Sequence, residues 1–594
     1  MFSNETYAEA AVMNIYRQFG VDKSYRNRWL VYYGANTDSE WYVSASPDKP
    51  TDTKTLIYTY NPTYDDAGSQ LNESSGQFAL MYTAIENANL AIAGLRKYGS
   101  VETDAGMRYL LGESLVLRAF FYFDLIKAWG DVPMRFQPIG ETGDVNKPRS
   151  DRDEIYKQII ADLEEAVDYV DWPGEGVRTG TVTRVNKAFA YGLLARVCLS
   201  AAGYAQRPDE GRIGTGDIGS NRRSKLVEAG QEWGDNILYT KALDACKAVI
   251  AKENVCVKLE GSFEEIWRDM MKRQVSAGGE TLFVIPFADN RGQWMNNYAI
   301  RHATADKYCG KAGAGGTIGP VPTLFYEYDK ADRRRDVTCI PYRWNGGKQE
   351  LENVQKWYCG KYRYEWMNDV ISGNDCGIKP ILMRYADVLL MAAEAANELN
   401  DLPYAKEQLR KVRFRAFKSN EAVDKYLEGI GSKDAMFKAI YRERMLEFSC
   451  EQIRKQDLIR WGLLKKSLDD VKGKMKAMLD HTTYTSELTD KTYDFSLVGT
   501  KVYYKYDADG ETIQLHGLDF GEAGEPDGEG WTLYTSKKTD GTLEEEYIKS
   551  GTTSTGRIDM IYQYDPDVHM FWPIFKQSIT TNSLLANDYG YPVR

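Results

Sequence analysis

Aromatic and polar residues stand side by side in two segments of this 594-residue chain that have no helical periodicity. The candidate ligand contacts are Asp38, Glu40, Trp41, Tyr42 and Tyr64 in the first segment and Trp294, Asn296, Tyr298, Arg301, Trp344 and Tyr362 in the second. An aromatic face can cover the apolar face of a sugar ring, while carboxylate, amide and guanidinium groups bond its hydroxyls. The combination favours a saccharide-binding surface. The alternative for each residue is that it anchors a long loop to the body of the protein.

Trp41 and Trp294 are the residues from which we expect the largest contribution to binding. Trp41 follows two carboxylates and Trp294 precedes two amides, whereas a core position would favour apolar neighbours. We therefore expect both indole rings to be exposed at a shared site, where stacking contributes on the order of 1 kcal/mol or more per ring. On this basis, replacing either tryptophan by alanine weakens binding about tenfold or more and leaves thermal stability almost unchanged.

Residue patterns that support catalysis are missing from the sequence. The four histidines lie far apart and include no H-E-x-x-H pair, and no G-x-S-x-G turn occurs. The glycine-rich run at 310–319 lacks the ending of a phosphate loop, and the acidic run at 507–511 lacks the later ligands of a calcium loop. No two carboxylates are singled out as a glycosidase pair. We therefore predict a protein without catalytic activity, cofactor or metal ion.

The composition is that of an acidic globular protein rich in tyrosine. Hydrophobic residues make up 43% and charged residues 27% of the chain, and the formal net charge is −11. This charge and a pI near 5.3 argue against a nucleic-acid-binding surface. Apolar runs are too short to span a membrane, and polar residues directly after Met1 indicate no signal peptide. The 41 Tyr and 13 Trp residues supply many flat faces, for core packing or for stacking on a ligand.

Eight cysteines occur without the spacing of a disulfide framework. Three of them fall in helical patterns and are expected to be buried thiols, namely Cys198, Cys246 and Cys450. Four others lie in a loop-rich part of the chain, namely Cys309, Cys339, Cys359 and Cys376. For these four the sequence leaves one disulfide, free thiols or a structural metal site open, although no C-x-x-C pair is present.

Helical periodicity comes in pairs of segments joined by short turns. The predicted helices span residues 5–19, 77–98, 106–129, 150–169, 183–204, 239–252, 381–399, 401–417, 434–448 and 451–464. Gly130 is expected to cap the helix that ends at Trp129. Small residues such as Gly192 permit close approach of a neighbour to the 183–204 helix, as in stacked helical repeats. The non-helical stretches are 25–66, 253–380 with a strand at 282–286, and 480–568 with a β-hairpin around 502–515.

Five segments contain sequence motifs that recur in one protein family, and they follow the family's order. They are LRAFFYFDLIKAWGDVPM at 117–134, TRVNKAFAYGLLARVCLSAAGY at 183–204, KPILMRYADVLLMAAEAANEL at 379–399, YRERMLEFSCEQIRKQDLIRWGL at 441–463 and HMFWPIFKQSITTNSLLANDYGY at 569–591. In these segments the chain resembles the RagB/SusD family of outer-membrane nutrient-binding lipoproteins. One departure is that Ser449-Cys450-Glu451 replaces the usual Phe-Glu-Gly turn, which bears on local geometry and not on membership.

The resemblance implies a mainly α-helical, SusD-like fold. In this fold, tetratricopeptide-like helical pairs form a right-handed superhelix that carries long irregular insertions and minor β-hairpins. A single domain at 1–594 would contain N-terminal helical pairs at 1–252, a loop-rich insertion at 253–380, C-terminal helical pairs at 381–468 and a hairpin-containing region at 469–594. In the family, the ligand patch is built from the first and the second insertion on one face of the helical scaffold.

The function that the resemblance implies is that of a cell-surface glycan-binding protein. Such a protein captures oligosaccharide and delivers it to a SusC-like TonB-dependent outer-membrane transporter, which it caps as a lid. Attachment to the outer membrane would be through a lipid anchor, with the signal segment absent from this sequence. The alternatives are an oligopeptide-binding member of the family, a non-catalytic helical-repeat scaffold that binds protein, and a glycoside hydrolase with a carboxylate pair in an aromatic cleft.

Overall fold

Long helices follow the predicted periodicity in the computed structural model, which describes residues 1–27, 29–66, 71–228, 233–537, 541–548 and 555–594. The helices are α1 Glu5–Tyr16, α2 Trp29–Gly34, α3 Thr53–Tyr58, α4 Gln77–Tyr98, α5 Ala105–Trp129, α6 Ile139–Thr142, α7 Arg152–Ala166, α8 Lys187–Ala202, α9 Asp235–Ile250, α10 Phe263–Met271, α11 Trp294–Tyr298, α12 Leu324–Glu327, α13 Arg335–Thr338, α14 Tyr385–Glu398, α15 Leu402–Phe417, α16 Asn420–Glu428, α17 Lys433–Phe448, α18 Arg454–Arg460, α19 Leu464–Leu479, α20 Thr555–Asp559 and α21 Lys576–Thr581. The predicted 77–98 helix has the same ends as α4, and the predicted 106–129 helix is α5.

Strands are short and pair two or three at a time. They are β1 Glu40–Tyr42, β2 Tyr204–Arg207, β3 Ser220–Arg223, β4 Thr281–Val284, β5 Ile318–Pro320, β6 Cys339–Ile340, β7 Tyr342–Asn345, β8 Lys348–Leu351, β9 Tyr358–Cys359, β10 Ile381–Arg384, β11 Thr483–Thr485, β12 Thr492–Asp494, β13 Tyr503–Tyr506, β14 Ile513–His516, β15 Thr532–Leu533, β16 Ser536–Lys537 and β17 Leu543–Glu544. The predicted strand near residue 282 is β4, and the predicted hairpin is β13 with β14, where Tyr503 lies opposite His516.

Two predicted helices differ from the structure by more than a shift of their ends. The periodicity places residues 381–384 in a helix, but they form β10, which pairs antiparallel with β4, and α14 begins at Tyr385. The predicted helix at 451–464 is replaced by α18 and the start of α19, with Gly462 at a φ of +68° between them. The first difference arises from a non-local strand pairing, and the second from a left-handed residue that a helix does not accommodate.

Helix α5 lies at the centre of the helical framework. Its side chains are buried on nearly every side, and it packs against α1, α4 and α7. Asp104 caps its start by accepting the Met107 N–H at 3.0 Å. At its end Gly130 has a φ of +69°, and a Cβ there would lie 2.4 Å from the Tyr589 hydroxyl, so only glycine fits. The predicted glycine cap of this helix is therefore confirmed.

The small residues on α8 permit a close approach, although the neighbour at Gly192 is a strand. A Cβ on Gly192 would lie 2.2 Å from the Met383 Sδ of β10. Elsewhere α8 packs along α9 and against α7, as the paired pattern predicts. None of the described helices combines the length and apolar content needed to cross a membrane. That the chain is a single domain stays a prediction.

A buried ion network joins the second insertion to the C-terminal helices. Its five cations and five anions are Arg334, Lys361, Arg384, Arg413 and Arg415 with Glu280, Asp332, Glu443, Glu447 and Glu451. Equal numbers of opposite charges allow these groups to be buried together. Asp387 and Glu394 of α14 form their own ion pairs with Arg444 and Arg460. Arg384 thus links β10 to α17, whereas Asp387 and Glu394 link α14 to α17 and α18.

Candidate functional site

The two irregular segments that carry the candidate contacts meet in a strand pair. β1 of the first insertion runs antiparallel to β5 of the second, with Glu40 opposite Pro320 and Tyr42 opposite Ile318. The Val43 N–H extends the pairing by donating to the Thr317 C=O at 3.0 Å. Residues that are more than 270 positions apart in the sequence are thus fixed side by side, as the sequence interpretation requires.

Helix α11 lies against the same strand pair. The Thr317 N–H donates to the Asn297 C=O at 3.0 Å, and the Thr317 hydroxyl donates to the Asn296 C=O at 3.1 Å. Arg301 lies close to Gly316, the residue before Thr317. A Cβ on Gly316 would lie 3.0 Å from the Arg301 Cβ. We name the half-buried side chains of the two strand ends, of α11 and of the segments that follow α11 the junction surface: Tyr42, Asn296, Asn297, Arg301, Lys311 and Thr317.

The junction surface combines one supported aromatic ring with several polar groups. The Tyr42 ring stacks on the buried Tyr58 ring, with centroids 4.5 Å apart and planes 25° from parallel. Burial raises the pKa of Tyr42, so its hydroxyl stays neutral and can both donate and accept. The Lys311 Nζ donates to the Asn296 Oδ1 at 3.3 Å, and the Arg301 guanidinium donates to the Gly315 C=O at 3.4 Å. The polar groups can bond sugar hydroxyls, and the Tyr42 ring can stack on a sugar ring.

Seven of the eleven candidate contacts are buried, which corrects the expectation that they face a ligand. They are Asp38, Glu40, Trp41, Trp294, Tyr298, Trp344 and Tyr362. The two tryptophans on which the expectation rested most, Trp41 and Trp294, have exposed fractions of 0% and 2%. The expected exposure of both indole rings is therefore wrong, and the structure supports no direct ligand contact by these seven side chains.

Trp294 is buried because its segment is helical after all. Five residues of α11 place Trp294 and Tyr298 one helical turn apart, so both rings point inward while Asn296 and Asn297 reach the surface. The two rings stack with centroids 4.8 Å apart, and Tyr362 packs edge-on to Trp294 at 6.1 Å. The polar neighbours of Trp294 thus belong to the outer face of a short helix, and the indole belongs to the inner face.

Trp41 and Asp38 are buried because distant residues supply their partners. The Arg557 guanidinium lies over the Trp41 ring at 3.6 Å, which covers the indole face. Asp38 accepts from the Arg454 Nε at 2.7 Å and from the Tyr441 hydroxyl at 2.6 Å. Asp38 is therefore a structural anchor that attaches the first insertion to α17 and α18.

Trp344 and Tyr64 contribute no side chain to the junction surface. Trp344 is buried in a small separate cluster, parallel to His302 at 6.1 Å and edge-on to Tyr308 at 4.9 Å. Tyr64 is half-buried against the C-terminal part of the chain, where its C=O accepts the Lys576 N–H at 3.0 Å. Of the candidate contacts, the junction surface therefore collects Tyr42, Asn296 and Arg301.

Glu40 lies under the junction surface as a buried acid. Burial raises its pKa from 4.5 to about 7, and one carboxylate oxygen accepts the Cys450 N–H. Because the pKa of Glu40 is higher in the folded protein than in the unfolded chain, the free energy of unfolding falls as the pH rises from 4.5 to 7. Above pH 7 the full cost of burying the charged carboxylate remains. Glu40→Gln should remove the cost and raise the free energy of unfolding by about 3 kcal/mol at pH 8.5 but only about 1 kcal/mol at pH 5.5.

Denaturant unfolding of both proteins at the two pH values checks this expectation. Asp38→Asn is the matched control, because it makes the same carboxylate-to-amide change in the neighbouring buried acid. It leaves Arg454 without its carboxylate and should destabilise the protein at both pH values. A Glu40→Gln variant less stable than the parent protein at pH 8.5 would contradict the raised pKa of Glu40.

A second exposed aromatic face, which the sequence interpretation missed, lies near the C-terminus. Tyr564 is 41% exposed and stacks on His569 at 3.8 Å, and His569 stacks on Tyr591 at 4.2 Å. Burial lowers the pKa of His569 to about 4, so the ring is neutral and its Nδ1–H donates to the Tyr60 C=O at 3.0 Å. The sequence feature that could have indicated this exposed face is Tyr564 beside two aspartates, in Tyr-Asp-Pro-Asp at 564–567.

Comparison with known proteins agrees with the architecture. A model described as the SusD family matches residues 336–591, and a model described as starch-binding associating with outer membrane matches residues 13–199. The chain belongs to the SusD/RagB family. SusD-like proteins P25 and P38 of Formosa agariphila are 23% and 24% identical over 490 and 468 residues. These alignments cover 77% and 76% of this chain and 81% and 83% of the relatives.

Solved structures confirm the mainly helical SusD-like fold. A SusD homolog from Bacteroides thetaiotaomicron superposes with a TM-score of 0.71 at 18% identity, covering 98% of this chain and 97% of that chain. Surface glycan-binding protein A from the same organism, in complex with laminarihexaose, superposes with a TM-score of 0.57 at 19% identity. That match covers 78% of this chain and 91% of the glycan-binding protein.

Metal-binding chemistry finds no support in the described part of the chain. No group of three or more His, Cys, Asp or Glu side chains there is arranged to hold a metal ion. The acidic run at 507–511 forms the turn between β13 and β14, where the Asp509 carboxylate accepts the Glu511 and Thr512 N–H groups at 2.8 and 2.9 Å. The Asp509 carboxylate thus stabilises the turn by accepting these two backbone hydrogen bonds.

Proposed function

We propose that this SusD-family protein binds oligosaccharide at the junction surface without chemical conversion. In this proposal the protein is held at the outer face of the outer membrane by a lipid anchor. It passes its ligand to a SusC-like TonB-dependent transporter. The observation that carries the binding step is the supported Tyr42 ring, which lies on β1, the strand that pairs with β5 next to the Thr317 contact with Asn296.

The chemistry of the junction surface supports a saccharide over an apolar ligand. Tyr58 holds the Tyr42 ring from one side, so little entropy is lost when a sugar stacks on the other side. The amide, ammonium and guanidinium groups of the junction surface supply both donors and acceptors for hydroxyls. Tyr42 lies on a short strand and Asn296 on a short helix, and both are half-buried, which favours a shallow contact over the deep cavity of the oligopeptide alternative.

Family membership supports the remaining steps. One matching model is described as starch-binding associating with outer membrane, and one similar fold was solved with laminarihexaose. The proposed transporter and lipid anchor are inferred from family membership. The proposed lack of catalysis is inferred from family membership and from the absence of an enzyme motif in the sequence. Co-purification from outer membranes tests the transporter, and incubation with bound glycan tests the lack of hydrolysis.

Replacing Tyr42 by alanine should weaken binding of a glycan identified on an array about tenfold, because the variant loses a stacking contact of about 1–1.5 kcal/mol. Isothermal titration calorimetry with that glycan measures the change, and thermal unfolding shows whether the fold persists. Asn296→Ala should weaken binding by a smaller factor, since one hydrogen bond is worth about 1 kcal/mol.

Tyr98→Ala is the matched control for Tyr42→Ala. Tyr98 ends α4 with 56% of its surface exposed, and its removal should change neither affinity nor stability. Unchanged affinity in both Tyr42→Ala and Asn296→Ala would place the binding site elsewhere, with the exposed Tyr564 face as the next surface to test. Hydrolysis of the glycan by the purified protein would contradict the non-catalytic role.

A further inference from the structure

Cys339 and Cys359 stand directly opposite each other in the second insertion, where β6 pairs antiparallel with β9. The Gly360 N–H donates to the Thr338 C=O at 3.1 Å, so the hydrogen bond lies beside the two cysteines and they form a non-hydrogen-bonded pair. At such a pair the Cα atoms are about 4.5 Å apart. This separation lies within the range of about 4.4–6.8 Å that a disulfide bridges.

The thiols of the other two candidate loop cysteines, Cys309 and Cys376, donate hydrogen bonds to backbone carbonyls. The Cys309 Sγ donates to the Lys311 C=O at 3.5 Å, and the Cys376 Sγ donates to the Gly292 C=O at 3.3 Å. The competitor for Cys359 is Cys450, whose thiol interacts with that of Cys359. Cys450 lies in the turn after α17 at a φ of +66° and offers no strand register to hold it opposite Cys359.

We propose that Cys339 and Cys359 form a disulfide when the chain folds in an oxidising compartment. The bond closes the 339–359 loop at its base. This loop contains the β7–β8 hairpin and the buried Trp344, whose N–H donates to the Arg301 C=O at 2.9 Å. The bond therefore fixes the part of the second insertion that contacts Arg301. The proposal rests on the proposed function in one respect, because export supplies the oxidising environment.

The bond must form before the insertion closes. Cys339 and Cys359 are 2% and 0% exposed, and burial raises the pKa of the Cys339 thiol well above its usual range. A folded chain therefore presents little thiolate to an oxidant. In the open chain, the Cys359 thiolate attacks a disulfide oxidant and releases one thiol, and the Cys339 thiolate then displaces the second. Two protein thiols are oxidised, and one oxidant disulfide is reduced to two thiols.

Refolding of the fully reduced protein in a buffer of reduced and oxidised glutathione tests the assignment. Free thiols are alkylated in denaturant and the peptides are mapped by mass spectrometry. Of the eight cysteines, six should be alkylated, and one cross-linked peptide should join Cys339 to Cys359. Protein secreted into an oxidising periplasm should give the same map, which covers the case of poor refolding.

Two serine variants separate the possible partners of Cys359. Cys450→Ser should keep the link, whereas Cys339→Ser should leave all seven remaining cysteines alkylated. Eight alkylated cysteines in the parent protein, or a link from Cys359 to Cys450, would overturn the proposal. Because glutathione supplies the oxidant, either result would leave the cell-surface location untouched, and cell fractionation tests that location separately.

Discussion

Arg384→Met should lower the free energy of unfolding by about 3–5 kcal/mol, because it leaves buried carboxylates without their cation. Arg384 is 1% exposed and lies at the end of β10, where the second insertion enters the C-terminal helices. Its guanidinium pairs with Glu280 at 2.5 Å, with Glu447 at 2.8 Å and with Glu451 at 2.8 Å. Methionine preserves much of the side-chain volume, so the loss reflects the charge and its hydrogen bonds.

Urea unfolding of Arg384→Met beside the parent protein measures the loss. Arg410→Met is the matched control, since Arg410 also pairs with a carboxylate, Asp424, at 2.9 Å. The Arg410 side chain is 39% exposed, and such a surface pair should change stability by less than about 1 kcal/mol. Equal effects of the two substitutions would show that the buried network does not hold the insertion against the helices.

Trp294→Ala should cost about 3–5 kcal/mol of stability, because it opens a cavity in the aromatic cluster beneath the junction surface. The indole is 2% exposed and stacks on Tyr298, with Tyr362 and Trp267 completing the cluster. This expectation reverses the one drawn from the sequence, in which the same substitution weakens binding and leaves stability unchanged.

Thermal unfolding and glycan titration of the same Trp294→Ala sample separate the two outcomes. Trp294→Phe keeps a ring on Tyr298 and should recover at least half of the lost stability. Tyr98→Ala, at an aromatic residue with 56% exposure, should have no effect. A Trp294→Ala variant with the parent melting temperature and tenfold weaker binding would restore the indole as a ligand contact.

Local sequence patterns were sufficient for the long helices α4 and α5, but they did not reveal α10, α16 or most of α19. Periodic apolar residues and capping residues such as Asp104 and Gly130 act within a few positions of the chain, so α4 and α5 were predicted to within one residue. Prediction failed at Ile381–Arg384, where pairing with β4 outweighs helical periodicity. A partner strand about one hundred residues away leaves no mark on the segment that it converts.

For the candidate site, the sequence by itself determined which residue types two irregular segments carry, and its family resemblance predicted that these segments share one face, but neither showed which side chains face outward. Polar neighbours suggested that Trp41 and Trp294 are exposed, yet the polar groups either bond internally or occupy the outer face of α11. Exposure is decided by residues that arrive from elsewhere: Arg557 covers Trp41, and Tyr362 packs on Trp294. Because burial depends on these long-range contacts and not on adjacent residues, only the tertiary structure could place Tyr42 and Asn296 at the surface and both tryptophans beneath it.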